Sequence, residues 1–298
     1  MNRKLFNWIS ELVASGPDRS TTRPVSALGS EVTERYRCGH LHNGKLVFTA
    51  QDKLELRRRV REETGFDPLR ESLPDDRLEI AKFHANEKLA GKPVSDDYLL
   101  LNSPDGFVCI NDKQITLHPE SIPAAGLFCL NSGIESVDHD ALVVVENLAI
   151  MSLCASFELP PMARRALWAY RGDPKTGSKT NVCHDFVDRF GANKTVVVFS
   201  DMDPKGLEIA LTMPHANYWL GPVPESWQTW LKKQEVGNSD GYYLQARSMT
   251  YLKRLSGAGA LSEPMSALIE CLQNERSSCR QEHMYSHKIE LGLLPIRR

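Results

Sequence analysis

Three acidic residues follow apolar runs that have the pattern of buried strands. Glu146 comes directly after Ala-Leu-Val-Val-Val, and Asp201 and Asp203 follow Thr-Val-Val-Val-Phe-Ser. Uninterrupted apolar runs of this length are typical of strands buried on both faces of a parallel sheet. Ligands of such sheets bind beyond the carboxyl ends of the strands. We therefore expect the three carboxylates to meet at one edge of a sheet.

Carboxylates that converge repel one another unless a cation neutralises them. Oxygen ligands suit Mg²⁺ or Mn²⁺, which proteins hold with a few carboxylates while water and phosphate complete the shell. Such a metal polarises a phosphodiester, so Glu146, Asp201 and Asp203 are the candidate catalytic and metal-binding residues. Acids after strands also cap the following helix, and this simpler role stays open for each of them, Asp203 above all.

Strand and helix patterns alternate around these acids in residues 136–298. The strand patterns lie at 141–145, 166–170, 195–199 and 216–220, and the helix patterns between them at 148–157, 182–190 and 206–211. This alternation predicts an α/β domain with a parallel, doubly wound sheet. Residues 262–286 read as one long closing helix with Ser262 at its N-cap.

Residues 1–135 contain shorter elements separated by polar and proline-containing breaks. Helix patterns lie at 5–13, 49–63 and 74–89, a loop is expected at 16–24, and strand patterns lie at 44–48, 98–101, 106–110 and 114–117. The last two strands are separated by Asn-Asp-Lys and predict a hairpin. Helices with a small hairpin predict a smaller, winged-helix-like domain over 1–135, ahead of the α/β domain over 136–298.

The composition excludes several classes of protein. With 36 Lys+Arg against 38 Asp+Glu the formal net charge of the 298 residues is −2, which argues against a non-specific nucleic-acid coat protein. A local basic face remains compatible with that sum. No apolar run approaches the roughly 20 residues that span a bilayer. The seven cysteines are scattered without a Cys-x-x-Cys pair, so we expect reduced thiols and a cytoplasmic protein.

Two groups of basic residues are candidates for DNA binding. Lys53, Arg57 and Arg61 recur every fourth residue in the predicted helix 49–63 and share one face, which suits a phosphate backbone or, more simply, a solvated surface. The second group lies in the loops around the predicted strand 166–170, on the expected edge of the acids: Arg164, Arg165, Arg171 and Lys175.

The acidic pattern resembles the Toprim domain, shared by topoisomerases, primases and certain nucleases, in which a strand-terminal glutamate precedes an Asp-x-Asp on a later strand. The Val-Val-Val-Glu-Asn-Leu run around Glu146 and the Asp-Met-Asp-Pro-Lys-Gly turn from Asp201 are similar to one branch of that family. This branch contains the topoisomerase VI A subunit and the JetD/MksG nuclease subunit of Wadjet (MksBEFG) plasmid-defence systems. A late Gln-Glu pair, Gln281-Glu282, is also similar to that branch.

The resemblance covers about residues 138–285 and implies a Toprim fold, a Rossmann-like parallel sheet, preceded by a helical and winged-helix arm. It implies an enzyme, a Mg²⁺- or Mn²⁺-dependent DNA endonuclease that cuts double-stranded plasmid DNA delivered by a condensin-like SMC complex of the MukB, kleisin and Kite type. Glu146 would be a metal ligand or general acid/base, and Asp201 and Asp203 would hold the cation. The same resemblance implies a homodimer.

Two other functions stay open. A topoisomerase VI A-like enzyme needs an N-terminal tyrosine that bonds covalently to DNA, and Tyr36 and Tyr98 are the available candidates. Neither has a convincing motif around it, which favours the nuclease. The other alternative is a non-catalytic subunit that binds DNA or a partner protein, with a vestigial Toprim site.

Overall fold

The structure is a computed structural model that describes residues 1–75, 77–83, 89, 97–117, 125–173 and 179–297. The chain divides into two compact units, Met1–Val94 and Ser95–Arg298. This division comes earlier than the boundary predicted near residue 135. The reason is that two strands before that position pair into the sheet of the second unit, which sequence periodicity does not indicate.

Over its described residues, the N-terminal unit packs four helices with a three-stranded antiparallel sheet of order β1-β3-β2. Its elements are α1 (Arg3–Ala14), β1 (Thr21–Pro24), α2 (Ala27–Tyr36), β2 (His40–His42), β3 (Lys45–Phe48), α3 (Ala50–Thr64) and α4 (Arg77–Phe83). Leu5, Ile9 and Leu12 of α1 are fully buried, as their helical spacing requires. The expected loop at 16–24 thus contains a strand.

Helix α3 begins where the sequence predicts. The Thr49 hydroxyl accepts the backbone N–H of Asp52, and the Asp52 carboxylate accepts the N–H of Thr49 at 2.8 Å. This reciprocal capping box satisfies two backbone donors that the first helical turn leaves free. The predicted start of the helix is confirmed.

The second unit is built on a seven-stranded sheet of order β12-β11-β10-β8-β9-β4-β7. The described strands of this unit, two of which lie outside that sheet, are β4 (Tyr98–Asn102), β5 (Phe107–Ile110), β6 (Lys113–Thr116), β7 (Leu127–Leu130), β8 (Ala141–Val145), β9 (Leu167–Tyr170), β10 (Thr195–Phe199), β11 (Ala216–Pro222) and β12 (Leu291–Pro295). Its helices are α5 (Leu148–Leu153), α6 (Pro161–Arg164), α7 (Thr180–Phe190), α8 (Pro204–Thr212), α9 (Trp227–Lys232), α10 (Ser239–Tyr243), α11 (Ala246–Gly257), α12 (Glu263–Glu275) and α13 (Gln281–Ser286).

The chain is therefore a mixed α/β protein, and its sheet is parallel only in the middle. β11, β10, β8 and β9 run parallel to one another, whereas the pairings of β12 with β11, of β4 with β9 and of β7 with β4 are antiparallel. The predicted hairpin forms as β5 and β6, but as a separate two-stranded sheet within the second unit. It joins that unit through a bridge from Ile110 to Val137.

The strand order reverses between β8 and β10. From β8 the chain moves outward to β9, returns after α7 to β10 on the other side of β8, and continues outward to β11. In open α/β sheets this switch point leaves a crevice at the carboxyl ends of the two central strands. All residues of β8 are buried, as are Val196–Phe199 of β10, so the strands that end at the crevice are held firmly in the core.

The prediction of one long closing helix over 262–286 is wrong in one respect. Ser262 caps it as predicted, but α12 ends at Glu275, and Arg276 has left-handed backbone angles (φ 51°). Cys279 then forms an antiparallel bridge with Met202, with N–H to O distances of 2.8 and 3.0 Å. A new short helix, α13, begins at Gln281. Pairing with a loop far away in sequence breaks the helix. None of the described helices has the length and apolar character needed to cross a membrane.

Candidate functional site

Glu146 and Asp201 lie side by side at the switch point. Val145 and Phe199 are partners in the parallel pairing of β8 with β10, and the Glu146 N–H donates to the Phe199 carbonyl at 3.0 Å. The Asp201 N–H donates to Glu146 Oε2 at 3.3 Å. The predicted meeting of these two acids at one sheet edge is therefore realised by the register of the strands.

Asp203 caps helix α8. Its Oδ1 accepts the Gly206 N–H at 2.6 Å and its Oδ2 accepts the Gln245 side-chain amide at 2.7 Å. A Cβ at position 206 would lie 2.1 Å from the Asp201 carbonyl oxygen, so the turn requires glycine there. The helix-capping role left open for Asp203 is thus real. The same turn brings its charge close enough to Glu146 to shift the pKa of that residue.

Helix α13 closes the site from the other end of the chain. The Gln281 N–H donates to Asp201 Oδ1 at 2.8 Å, and Gln281 Oε1 accepts the Asn147 N–H at 3.1 Å. Glu282 Oε1 accepts the Asn147 side-chain amide at 2.5 Å. Gln281 is fully buried, and its Nε2 has no hydrogen-bond partner in the described part of the chain. Through these hydrogen bonds, Gln281 and Glu282 join the residues that follow β8 and β10.

The electrostatics of the site are those of acids confined together. Burial, followed by the negative charge of Glu146, raises the pKa of Asp201 to about 8. Burial, followed by the charge of Asp203, raises the pKa of Glu146, although Arg171 and Lys205 oppose that shift. A shift in this direction means that ionising both carboxylates costs free energy in the folded protein.

The donor chemistry fits a hard divalent cation. Within the part of the chain that the structure describes, Glu146 Oε1 and Asp201 Oδ2 accept no hydrogen bond, so each acid keeps one oxygen free. No group of three or more His, Cys, Asp or Glu side chains in that same part forms a ready-made metal cage. Mg²⁺ is commonly held by only one or two carboxylates, with water and phosphate as the other ligands. Glu146 and Asp201 suit that mode.

Residues 96–293 match a protein family described as a domain of unknown function, DUF7281. The chain belongs to this family. The matched segment covers almost all of the second unit and includes every acid of the site, from Glu146 to Glu282. A search of curated proteins finds no match.

Arg171 lies in the DUF7281 domain at the edge of the acids, as predicted. It follows β9 directly, its N–H donates to the Val145 carbonyl at 2.8 Å, and its charge acts on Glu146. Its side-chain Nε is buried and has no hydrogen-bond partner among the residues that the structure describes. Lys175, predicted beside it, lies outside the described residues.

Arg164 and Arg165 do not lie at that edge. They end α6 and precede β9, and the Arg165 carbonyl is 3.2 Å from Nδ1 of His139, just ahead of β8. Both arginines are exposed, but at the amino ends of the parallel strands. The prediction that they flank the acids is corrected because they precede the strand instead of following it.

The basic stripe predicted on α3, outside the DUF7281 match, is not an exposed face. Lys53 is 1% exposed, and its Nζ donates to the carbonyls of Ser15 and Gly16 and to the Thr21 hydroxyl. Burial, with a contribution from Arg23, lowers the pKa of Lys53. The amphipathic pattern places Lys53 on the inner face, where its ammonium group satisfies loop carbonyls.

The other two members of that stripe differ from each other. Arg57 forms a two-pronged ion pair with Asp67, with N–O distances of 2.8 and 2.5 Å. Arg61 is exposed, and within the described residues it has no ion pair. Of the three predicted DNA contacts on α3, only Arg61 is therefore available to a phosphate.

Gln245 is a site residue that sequence reasoning missed. Its Nε2 donates to Asp203 Oδ2 and its Oε1 accepts the Lys205 N–H, both at 2.7 Å. It stands just ahead of α11, with no motif around it and far from the acids in sequence. No local signal in the sequence indicates this contact.

Proposed function

We propose that this protein is a divalent-metal-dependent DNA endonuclease whose DUF7281 domain has the Toprim fold. The observation that carries the proposal is the position of Glu146 and Asp201 on the two strands that flank the switch point. Their raised pKa values support it, because a cation bound between the two carboxylates would stabilise the ionised forms that burial and mutual repulsion disfavour.

Glu146 and Asp201 would hold Mg²⁺ or Mn²⁺, with Asp203 close by. When bound, the metal would supply charge stabilisation for a phosphodiester under attack and for the departing oxygen. The protein's own residues have defined tasks. Arg171 is placed beside Glu146 to bind a phosphate oxygen, and Gln281 holds the ends of β8 and β10 at a fixed distance.

The biological setting of the proposal rests on the sequence resemblance. The glutamate-asparagine pair, the Asp-x-Asp-Pro-x-Gly turn and the late Gln-Glu pair are similar to the JetD/MksG branch. Gln281 and Glu282 accept hydrogen bonds from Asn147, and the Gln281 N–H donates to Asp201; these contacts support the relevance of that last match. The protein would act in the cytoplasm as a homodimer on plasmid DNA with an SMC-like complex. A neighbouring gene for an SMC-like ATPase would support that setting.

The covalent topoisomerase alternative gains no support from Tyr36. This residue is 4% exposed, and its hydroxyl donates to Glu63 Oε2 at 2.6 Å. Burial, followed by that hydrogen bond, raises the pKa of Tyr36. A raised pKa makes a phenol a poorer nucleophile at neutral pH. Tyr98 lies in β4 with its ring stacked on Phe128 at 4.8 Å.

The test is cleavage of supercoiled plasmid with Mg²⁺ or Mn²⁺, by the full chain alone and with an SMC-like complex encoded beside it. We expect Glu146→Gln and Asp201→Asn to lower the rate by about 100-fold or more, since each removes a charged ligand of the cation. Glu135→Gln and Asp105→Asn are matched controls, because both acids are exposed in the same unit. Normal cleavage by either site variant would refute the proposal. Normal plasmid restriction in cells by both would favour the non-catalytic subunit.

A further inference from the structure

An aromatic and apolar corner projects into solvent next to the carboxylates. It consists of Tyr242 and Tyr243, which end α10, and of Leu244 and Gln245, which join α10 to α11, and is called here the α10–α11 corner. Leu244 is 88% exposed and Tyr243 is 59% exposed, the former being the most exposed large apolar side chain of the described residues. The proposed cleavage reaction does not explain this exposure.

Gln245 ties the corner to the site. Its side chain donates to Asp203 Oδ2 and accepts the Lys205 N–H, so Leu244 is adjacent in sequence to a residue that contacts Asp203. Asn238, which caps α10, is joined to Ser278 by two hydrogen bonds of 2.8 and 3.0 Å. The corner is therefore held on both sides by the segments that form the site, and its exposed side chains project from a fixed base.

Three exposed arginines lie close to the corner or to the segments that hold it. Arg247 lies in the first turn of α11, and Arg276 and Arg280 flank the segment that bridges to Met202; all three are exposed. None of them has an ion pair within the described residues, whereas nearby Lys205 pairs with Glu208 at 3.1 Å. Arg276 is near enough to act on the hydroxyl of Tyr242.

Aromatic and apolar side chains with free arginines beside a cluster of acids match the chemistry of a nucleic-acid strand. Bases stack on aromatic rings or receive an apolar wedge, while cations follow the phosphates. A protein docked on this corner would instead cover the carboxylates beside it. The charge pattern, cations around a hydrophobic tip, thus favours nucleic acid over a protein partner.

We propose that the α10–α11 corner contacts unpaired bases of the strand that enters the site, through Tyr243 and Leu244, while Arg247 and Arg280 hold flanking phosphates. The inference rests on the proposed function, since it assigns that function's substrate a locally opened duplex or a single strand. It adds a contact surface on the side of α8 and α11, separate from Arg171 beside β9.

The test measures binding, so that it does not depend on cleavage. Full-length protein carrying Asp201→Asn is titrated into fluorescently labelled oligonucleotides with Mg²⁺, as a single strand, a paired duplex and a duplex with a central mismatched bubble. Adding Tyr243→Ala with Leu244→Ser should weaken binding to the single strand and the bubble about tenfold or more, as expected for lost stacking. Binding to the paired duplex should change by less than about threefold, because phosphate contacts dominate there.

Three controls sharpen this test. Leu130→Ser makes the same change at an exposed leucine of edge strand β7 and should leave all three affinities unchanged. Tyr243→Trp should retain binding because it retains the ring. Arg247→Gln should lower the slope of log affinity against log salt by about one. Thermal unfolding should show that the corner variants fold like the parent, since both substituted side chains are exposed.

Two outcomes overturn the inference: unchanged affinities for all three oligonucleotides, or an equal loss on paired and unpaired DNA. A corner that binds a protein would give the first. The proposed function fails separately, if wild-type protein that binds these oligonucleotides never cleaves DNA with metal. In that case a selective loss in the corner variant still supports the contact with unpaired bases.

Discussion

Acidic residues have opposite environments in the two units of this protein. Around α3, Glu55 contacts Arg58 and Arg59, and Asp67 is held by Arg57, so hydrogen bonds from arginines lower the pKa of both acids. At the strand ends of the second unit, Glu146 and Asp201 face each other, and their pKa values are raised.

The difference separates acids that stabilise the fold from acids that are kept for a ligand. A carboxylate paired with an arginine is already neutralised and has little to offer a metal or a phosphate. Two half-buried carboxylates that lack an ion pair among the described residues destabilise the folded state unless something binds them. Such an arrangement is typical of functional sites, where stability is lost in exchange for binding.

The largest effect is expected for Asp67→Ala. Asp67 is 4% exposed, and its loss leaves Arg57 without its partner and the Leu69 N–H without its acceptor. Because the carboxylate of this pair is buried while Arg57 is only partly exposed, breaking it should cost more than breaking an exposed pair, and we expect the midpoint of thermal unfolding to fall by about 5 °C or more. Asp18→Ala, at an exposed acid of the same unit, is the control. An equal, small effect of both would remove the contrast between the units.

Asp201→Asn should stabilise the folded protein at alkaline pH, which is the opposite of the effect expected for Asp67→Ala. The folded protein retains the Asp201 proton up to about pH 8, whereas the unfolded chain releases it in the usual acidic range. Folding therefore takes up a proton, and stability falls as pH rises from that range through 8. At about pH 9 without metal, we expect Asp201→Asn to unfold about 3 °C higher than wild type, with little difference at about pH 4. A variant that is less stable than wild type at both pH values would contradict this.

Mn²⁺ should stabilise the wild-type protein near pH 8, because a ligand that binds only the folded state raises its unfolding midpoint. We expect a rise of about 2 °C at saturating metal, followed by differential scanning fluorimetry. Asp201→Asn should lose most of this rise, whereas Asp67→Asn in the other unit should keep it. Equal rises in both variants would place metal binding elsewhere.

The smallest effect is expected for Tyr36→Phe, which removes the hydrogen bond to Glu63. After this change Glu63 keeps its ion pairs with Arg35 and the Met1 amino group, so the midpoint of thermal unfolding should fall by less than about 2 °C. Plasmid cleavage should stay unchanged, measured beside wild type at equal protein concentration. Loss of cleavage together with loss of a trapped protein–DNA adduct would instead support the covalent alternative.

How much of the molecule was predictable depended on the range of the interactions. Buried strands β8 and β10 and the capping box of α3 follow from neighbouring residues, and they were predicted correctly. Lys53 was misplaced, because its spacing with Arg57 marks a helical face but not which way that face turns. The division of the chain was also misjudged, since β4 and β7 join the large sheet by antiparallel pairing that leaves no periodic signal.

The sequence by itself determined that Glu146 and Asp201 end buried strands, because covalent order ties each acid to its apolar run. Only the tertiary structure decided what surrounds them. The bridge between Met202 and Cys279 ends a predicted continuous helix and turns Gln281 and Glu282 onto the strand ends. These contacts join residues far apart in the chain, and their energy comes from satisfying buried backbone groups that local patterns do not reveal.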